Sequence, residues 1–435
     1  VNKLKITMDC SKNTEPLESL KRIEIFLQSP PLDDTNAPHY VEQLKTLRNL
    51  CAVDPAHQNA IAEHEHFNEQ LHQLLFDNSI TPTPPQNLQL MALQLLANAI
   101  VQNPNSQSNI WRRHGAAIVE FGLVAPLGRH TNILLMIVYN VLKGAAVSNM
   151  EQQALCAAVR TWQAIVDERS EDNYEFLHFL FEHFIEHGGH NTVRYYAHLN
   201  PAERISFLEY LVHYLRQDSP NGHIHQFLLK YITKEFNIKS DRILICKPDS
   251  AQLPATDPMP AREAYALLRV IASATGSEFY ADKYVSEQSL FLNVSSLLRC
   301  LAQVGKESQN IFTPMNKLEE VALTSNISRD FETELSFELK TLLVRCIANL
   351  LYKNPANQGY CIDTQLLPTL LECTNMDARN PLLKEWSILA IRNACYGCPE
   401  IQAMIANMTN KGAAQNDIID ELNLDMGALR IKPSR

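Results

Sequence analysis

The chain has 435 residues, of which 46% are hydrophobic and 20% charged, with only 13 Gly against 22 Pro. Such a balance excludes collagenous and Gly-rich chains, disfavours tight-hairpin β architectures and is too apolar for intrinsic disorder. The net charge of −10, with neither sign gathered in a long block, argues against a nucleic-acid surface.

Ten Cys without regular spacing form no disulfide framework, so a reducing cytosol is expected. The longest apolar run, Ile133 to Leu142, is broken by Asn140 and is too short to span a membrane, so no membrane insertion is expected. Val1-Asn2-Lys3-Leu4-Lys5 has neither an initiator Met nor a signal-peptide core and reads as a processing boundary. A chain of this length exceeds a single core, leaving two or three domains or one elongated repeat array.

In chain order, one pattern recurs four times: Asn, Pro six residues later, and Gln three after that. The copies are Asn49/Pro55/Gln58, Asn98/Pro104/Gln107, Asn349/Pro355/Gln358 and Asn393/Pro399/Gln402. Within each pair of neighbours the copies are about one armadillo or HEAT unit apart, roughly 40–47 residues. An apolar helix precedes the Asn, as in Leu88, Met91, Leu95 and Leu96 or Leu342, Leu343, Ile347 and Leu350.

Asp54-Pro55, Asn103-Pro104 and Asn354-Pro355 then place a capping side chain before a Pro at the first helical position, where its missing N–H costs nothing. The fourth copy departs, with Cys398 in the cap position. Short helices are predicted over Gln58–Ile61, Gln107–Trp111, Gln358–Ile362 and Gln402–Ile405. Second helices are predicted around Leu71/Leu74/Leu75, Val124/Leu127 and Leu367/Leu370/Leu371. Three helices per unit is the armadillo plan, so the expected fold is an all-α, armadillo/HEAT-like helical repeat solenoid.

Between the two pairs the repeat degenerates. Asn140 falls where a third unit would place its Asn, but no Pro or Gln follows in register. Tyr174–Ile185 and Ile205–Leu215 read as apolar helices, and Gly305–Arg329 as a polar loop. Four Pro between 247 and 260 read as a linker or exposed loop. The expected organisation is an N-terminal array over 1–246, the Pro-rich segment 247–260 and a C-terminal array over 261–435.

The run from Phe337 to Asn407 carries Arg345-Cys346-Ile347-Ala348-Asn349-Leu350, Tyr352-Lys353-Asn354-Pro355-Ala356-Asn357-Gln358 and Asn380-Pro381 through Asn393. It resembles the C-terminal domain of the ataxin-10 family, over about 329–411, and a weaker likeness covers Leu44–Leu142. The resemblance implies a non-enzymatic armadillo-like factor of the cytoplasm, with perinuclear, midbody and centrosome or basal-body sites. It further implies roles in neuronal survival and neurite growth, cytokinesis and cilia, contacts with O-GlcNAc transferase and a heterotrimeric G-protein β subunit, and self-association.

Three features could carry chemistry. His183-Phe184-Ile185-Glu186-His187 fits an inverted zinc-peptidase signature, with two imidazoles one turn apart and Glu186 as base. The plainer reading is core packing, since Phe179, Phe181 and Phe184 flank it and no third ligand motif is evident. Cys395-Tyr396-Gly397-Cys398 is a lone C-x-x-C, read as small buried thiols. No phosphate-cradling Gly loop or nucleophile elbow occurs, and neither a metal nor a cofactor is expected.

The repeated Asn is the leading binding candidate, because an amide on a groove-lining third helix can meet the backbone of an extended peptide. The candidate surface comprises Asn49, Asn98, Asn140, Asn349 and Asn393 with Arg48, Arg345 and Arg392. The alternative is that each Asn bonds the loop carbonyls of its own repeat. Importin-type proteins carry Trp one turn before this Asn, where this chain has Lys45, Gln94, Met136, Arg345 and Leu389. A protein-binding scaffold is therefore the expected function, with a zinc hydrolase or a nuclear-transport cargo adaptor as alternatives.

Overall fold

A computed structural model describes residues 17–33, 35–77, 84–123, 127–144, 149–217, 223–245, 258–307, 310–315 and 331–407. Among these residues every regular element is helical and no strand occurs. The chain divides into two bodies, Val1–Phe184 and Ile185–Arg435. The expected 247–260 segment falls inside the second, and residues 247–257 of it lie outside the described residues.

The first body contains α1 (Glu18–Leu27), α2 (Ala37–Cys51), α3 (Pro55–Glu63), α4 (Glu65–Phe76), α5 (Gln86–Ala99), α6 (Pro104–Ala117), α7 (Arg129–Gly144), α8 (Met150–Glu168) and α9 (Glu175–Glu182). The second contains α10 (Gly189–His198), α11 (Pro201–Arg216), α12 (Gln226–Lys239), α13 (Met259–Thr275), α14 (Gln288–Glu307), α15 (Phe331–Leu351), α16 (Pro355–Asp363), α17 (Leu366–Glu372), α18 (Leu383–Cys395) and α19 (Pro399–Ala406). The long helices α2, α5 and α7 pack side by side in the first body, and α11, α13, α15 and α18 in the second. Each body is thus a helical repeat solenoid in which one helix of a unit stacks on its counterpart in the next.

The Asx-Pro starts form as their chemistry dictates. Asp54 accepts from the Ala56 N–H at 2.7 Å, Asn103 from Ser106 at 3.2 Å and Asn354 from Asn357 at 3.2 Å. Cys398 makes no side-chain cap. Another such start, Asn200-Pro201, closes a full capping box with Glu203. Its pattern is readable in sequence, but it lacks the Asn and Gln that frame the repeats.

The second unit corrects one expectation. Its short and second helices do not separate: α6 runs from Pro104 to Ala117 and continues into a π-helical turn over Ile118–Gly122. Leu127 is non-helical, and 124–126 lie outside the described residues. In the first unit His64 turns to ψ 105° and caps the Phe67 N–H, breaking the helix. No such break occurs in α6, where Gly115 instead lets the backbone approach Trp111; a Cβ there would lie 2.6 Å from the indole.

The expected apolar stripe is buried at Leu88, Leu95, Leu96, Leu343, Ile347 and Leu350. Met91 and Leu342, each seven residues before a repeat Asn, are only half-buried and mark a different helix face. The expected loop after Gly305 is partly docked. Lys340, itself buried, donates to the Phe312 carbonyl at 2.7 Å and lies 3.5 Å from Asp377, closing residues 310–315 onto the core.

The repeat Gln is the principal connector between units. Gln58 Nε2 donates to the carbonyls of Cys51 in its own unit and of Asn98 and Val101 in the next, at 3.2–3.3 Å. Its Oε1 accepts from Asn103 Nδ2 at 2.9 Å. Gln358 repeats the pattern, donating to Asn393 O at 3.0 Å and Tyr396 O at 2.8 Å. Gln107 reaches Ile100 O at 2.9 Å and lies against the end of α7, where a Cβ on Gly144 would collide with its amide.

These acceptors lie at or just past the ends of the long helices, where carbonyls lack a full set of intrahelical partners; Asn98 O and Asn393 O accept in addition from the Val101 and Tyr396 N–H at 3.4 Å and 3.3 Å. A buried carbonyl left without any partner costs about 1–3 kcal/mol. Gln358→Ala should therefore destabilise the α16–α18 interface by about 1–3 kcal/mol. The expected result is faster amide exchange of α18 in the variant, with Gln402→Ala, whose side chain is exposed, changing little.

In the first body Asn68 Nδ2 donates to Ile61 O and His64 O, leaving its Oδ1 to accept from His114 Nε2 at 3.1 Å. His114 Nδ1 then accepts from His72 Nδ1 at 3.3 Å. Burial first, then the His72 and Arg113 charges, lowers the His114 pKa to about 3. Unfolding lets this ring bind a proton at ordinary pKa, so its contribution is present above about pH 6.5 and lost as pH falls towards 3. Thermal melts of wild type should lose stability through that window, and His114→Gln should flatten the dependence.

Candidate protein-binding surface

Each repeat Asn sits near the C-terminus of a long helix, and most of their amide donors are used between units. Asn98 Nδ2 donates to Arg48 O at 3.5 Å, and Asn393 Nδ2 to Ala348 O at 2.9 Å. In both cases the acceptor is the residue just before the preceding unit's Asn. Asn349 donates to Thr275 Oγ1 at 3.3 Å, the equivalent place at the end of α13. Gly276 follows, and a Cβ there would stand 3.1 Å from the Asn349 amide nitrogen. The acceptors are therefore helix carbonyls or hydroxyls of the preceding unit, and not the loop carbonyls of the same repeat.

Asn49, with no preceding counterpart, is exposed and accepts from Arg48 at 3.1 Å. Asn140 is half-buried on α7. Arg48 is spent as well, donating from Nη1 to Gln94 Oε1 on α5 at 2.7 Å.

The second body differs. Among the described residues no hydrogen bond or ion pair engages the Arg345 or Arg392 guanidinium, and Arg345 Nε has no partner. Arg345 stands 5.4 Å from the centre of the Trp386 ring, an α15–α18 cation–π contact. Tyr352 and Tyr396, each just past the end of its long helix, are both exposed with ring centres 6.1 Å apart. Lys353 lies 5.1 Å and 6.0 Å from those two rings.

Trp386, Tyr352, Tyr396 and Lys353 were not singled out by composition or motif. Their signal is positional: Trp386 occupies the half-buried place of Met91 and Leu342, while Tyr352 and Tyr396 lie three residues after a repeat Asn. The surface combines cations and aromatic faces, a combination suited to carboxylate and aromatic side chains of a partner.

The His183 signature lies in a π-helical turn, His183–His187. His183 Nδ1 is 3.2 Å from Lys143 Nζ, Glu186 accepts from the Tyr214 hydroxyl at 2.6 Å, and His187 is exposed. Among the described residues no group of three His, Cys, Asp or Glu could hold a metal ion. No described helix is long and apolar enough to cross a membrane.

The family model described as the spinocerebellar ataxia type 10 protein domain matches residues 339–430. Ataxin-10 of Bos taurus is 23% identical over 426 residues, covering 94% of this chain and 86% of that protein. Ataxin-10 of Homo sapiens is 24% identical over 394 residues, covering 88% and 79%.

This chain is similar to ataxin-10 proteins over most of its length, and to their family domain over residues 339–430. The ataxin-10 homolog of Dictyostelium discoideum is 39% identical over 88 residues, 20% of this chain and 14% of that one. The matched domain begins later than residue 329 and continues past 411. It contains Arg345, Asn349, Trp386, Arg392 and Asn393, the surface just described.

Of the domain's thiols Cys346, Cys361 and Cys373 are buried, whereas Cys395 and Cys398, expected to be buried, are half-buried. Burial pushes Cys361 and Cys346 up to about 12, and Cys51 in the first body likewise. Burial also raises Cys395. With the chain folded at pH 7.5, iodoacetamide should modify exposed Cys300 ahead of the other described thiols. Cys51, Cys346 and Cys361 should react only on unfolding, a contrast that peptide mass spectrometry resolves.

Proposed function

We propose that this chain is a non-enzymatic scaffold that binds segments of other proteins on the long-helix surface of its second body. The observation that carries this reading is the division of labour between neighbouring side chains. Most of the Asn and Gln amides are consumed in joining units, whereas among the described residues Arg345 and Arg392 have no carboxylate partner, and Trp386 and the Tyr352/Tyr396 pair lie on the same stretch of chain. A guanidinium held against an aromatic face keeps its donors available for a planar carboxylate.

On this reading Arg345 and Arg392 contact the partner, while Asn98, Asn349 and Asn393 hold the helices in register and Arg48 braces α2 against α5. The family resemblance extends the proposal to O-GlcNAc transferase and a G-protein β subunit as partners, and to cytoplasmic work in neurite growth, cytokinesis and cilia. An acidic, aromatic segment is the class of ligand the surface fits.

Charge reversal tests this directly. Arg345→Glu with Arg392→Glu should lower affinity for a captured partner at least tenfold while moving the melting temperature by no more than a degree or two. Asn393→Ala should do the reverse, costing stability because Ala348 O loses its donor. Partner binding unchanged by the double charge reversal would remove the surface from consideration.

A further inference from the structure

The fourth copy of the repeat changes two residues that the other copies use for structure. Two places after the repeat Asn stand Cys51, Ile100 and Leu351, all buried. Five places after it stand Asp54, Asn103 and Asn354, each accepting from a backbone N–H at the start of the next helix. In the fourth copy these two places hold Cys395 and Cys398. Both thiols are half-buried, and Cys398 makes no side-chain cap, so this helix start forgoes the stabilisation that an Asx cap gives.

The backbone between the two thiols is a closed turn. The Cys398 N–H donates to the Cys395 carbonyl at 3.2 Å. Tyr396 stands at φ −66° and ψ 108° and Gly397 at φ 69°, the angles of a type II turn whose left-handed third residue calls for Gly. Cys395 and Cys398 are its first and last residues, and the Cα atoms at the ends of such a turn lie less than about 7 Å apart. A disulfide joins Cα atoms roughly 4.4–6.8 Å apart, so the turn holds the pair within bridging range. The preceding copy closes its chain at the same place, with the Asn354 N–H donating to Leu351 O at 3.3 Å. The closure thus belongs to the repeat, and the thiol pair at its ends is particular to the fourth copy.

The neighbouring charges agree with this placement. Burial first, and then the Cys398 thiol, raises the Cys395 pKa. Cys361 on α16 is affected by both thiols after burial, yet it is itself only 1% exposed. A small oxidant in water therefore meets Cys395 and Cys398 ahead of Cys361.

We propose that Cys395 and Cys398 form a reversible redox modification site, closed to a disulfide by a hydroperoxide and reopened by a dithiol. The thiolate of one cysteine attacks the outer peroxide oxygen, breaking the O–O bond; a sulfenic acid forms and an alcohol leaves, or water when the oxidant is hydrogen peroxide. The thiolate of the second cysteine then attacks the sulfenic sulfur, and the displaced hydroxide takes up a proton as water. The two thiols give up two electrons and two protons, and the peroxide is reduced. A dithiol reverses the bond by exchange and ends as a disulfide itself. The bond locks the turn that carries Tyr396, whose carbonyl accepts from Gln358 at 2.8 Å and whose ring centre is 6.1 Å from that of Tyr352. Oxidation thereby reaches both the amide connector and the aromatic corner of the second body.

The test treats the whole chain with hydrogen peroxide near neutral pH, alkylates the remaining thiols in denaturant and maps the products by peptide mass spectrometry. The expected product is one peptide bridged between Cys395 and Cys398, lighter than its reduced form by two hydrogens and restored by dithiothreitol. Amide exchange over residues 396–402 should slow about threefold or more on oxidation. Cys398→Asn, which supplies the Asx cap of the other copies, should form no bridge and show no oxidation-dependent change in that exchange. Recovery of both cysteines as alkylated thiols, from a chain whose exposed Cys300 has been oxidised, would overturn the proposal. A bridge from Cys361 to either thiol would overturn it as well, because the site would then lie between units, and a Cys395–Cys398 bridge that left the exchange unchanged would contradict the locking of the turn.

Discussion

Stacking in this solenoid depends on side-chain amides that satisfy the carbonyl ends of long helices belonging to other units. A helix end leaves up to four carbonyls without partners, and stacking buries several of them at once. Gln58 and Gln358 meet that need across the boundary, each with one nitrogen shared between the Asn carbonyl and the one three residues on. Apolar contact brings helices together without fixing their axial register; the amides fix it, because their acceptors occur at one height only. The Asn-to-carbonyl bonds of Asn98 and Asn393 add a second tie at the neighbouring turn.

This constraint explains which residues remain for binding. Groups one position or one turn from the ladder emerge at regular intervals on the same surface, and they are free to vary because stacking does not consume them. In the first body Arg48 is drawn into bracing through Gln94. In the second, Arg345 instead faces Trp386, and a cationic, aromatic surface results on a chain whose net charge is −10. Rigid spacing from the ladder and variable chemistry beside it are what a protein-binding scaffold requires.

Much of the fold is legible in the sequence because its signals are local. Asx-Pro starts, apolar stripes at helical spacing and the six-and-three spacing of Asn, Pro and Gln each specify something within a few residues of themselves. The merged α6 and its π-helical turn were less legible, since helix continuation there depends on Trp111 packing over Gly115. The bonding of the repeat Asn was also hidden: its acceptor lies in another unit, about a full repeat away in sequence, and only stacking brings the two together. Trp386 and Tyr396 became visible as site residues only once the repeat register aligned them with Met91 and Tyr352.

The coupling between Gln58 and Asn103 tests the amide connector most directly. Their side chains meet at 2.9 Å across the unit boundary, both buried. A double-mutant cycle of Gln58→Ala and Asn103→Ala, read by urea unfolding, should give a coupling energy of about 1 kcal/mol or more. Additivity within about 0.3 kcal/mol would contradict the account, leaving apolar packing alone to set the register of the units.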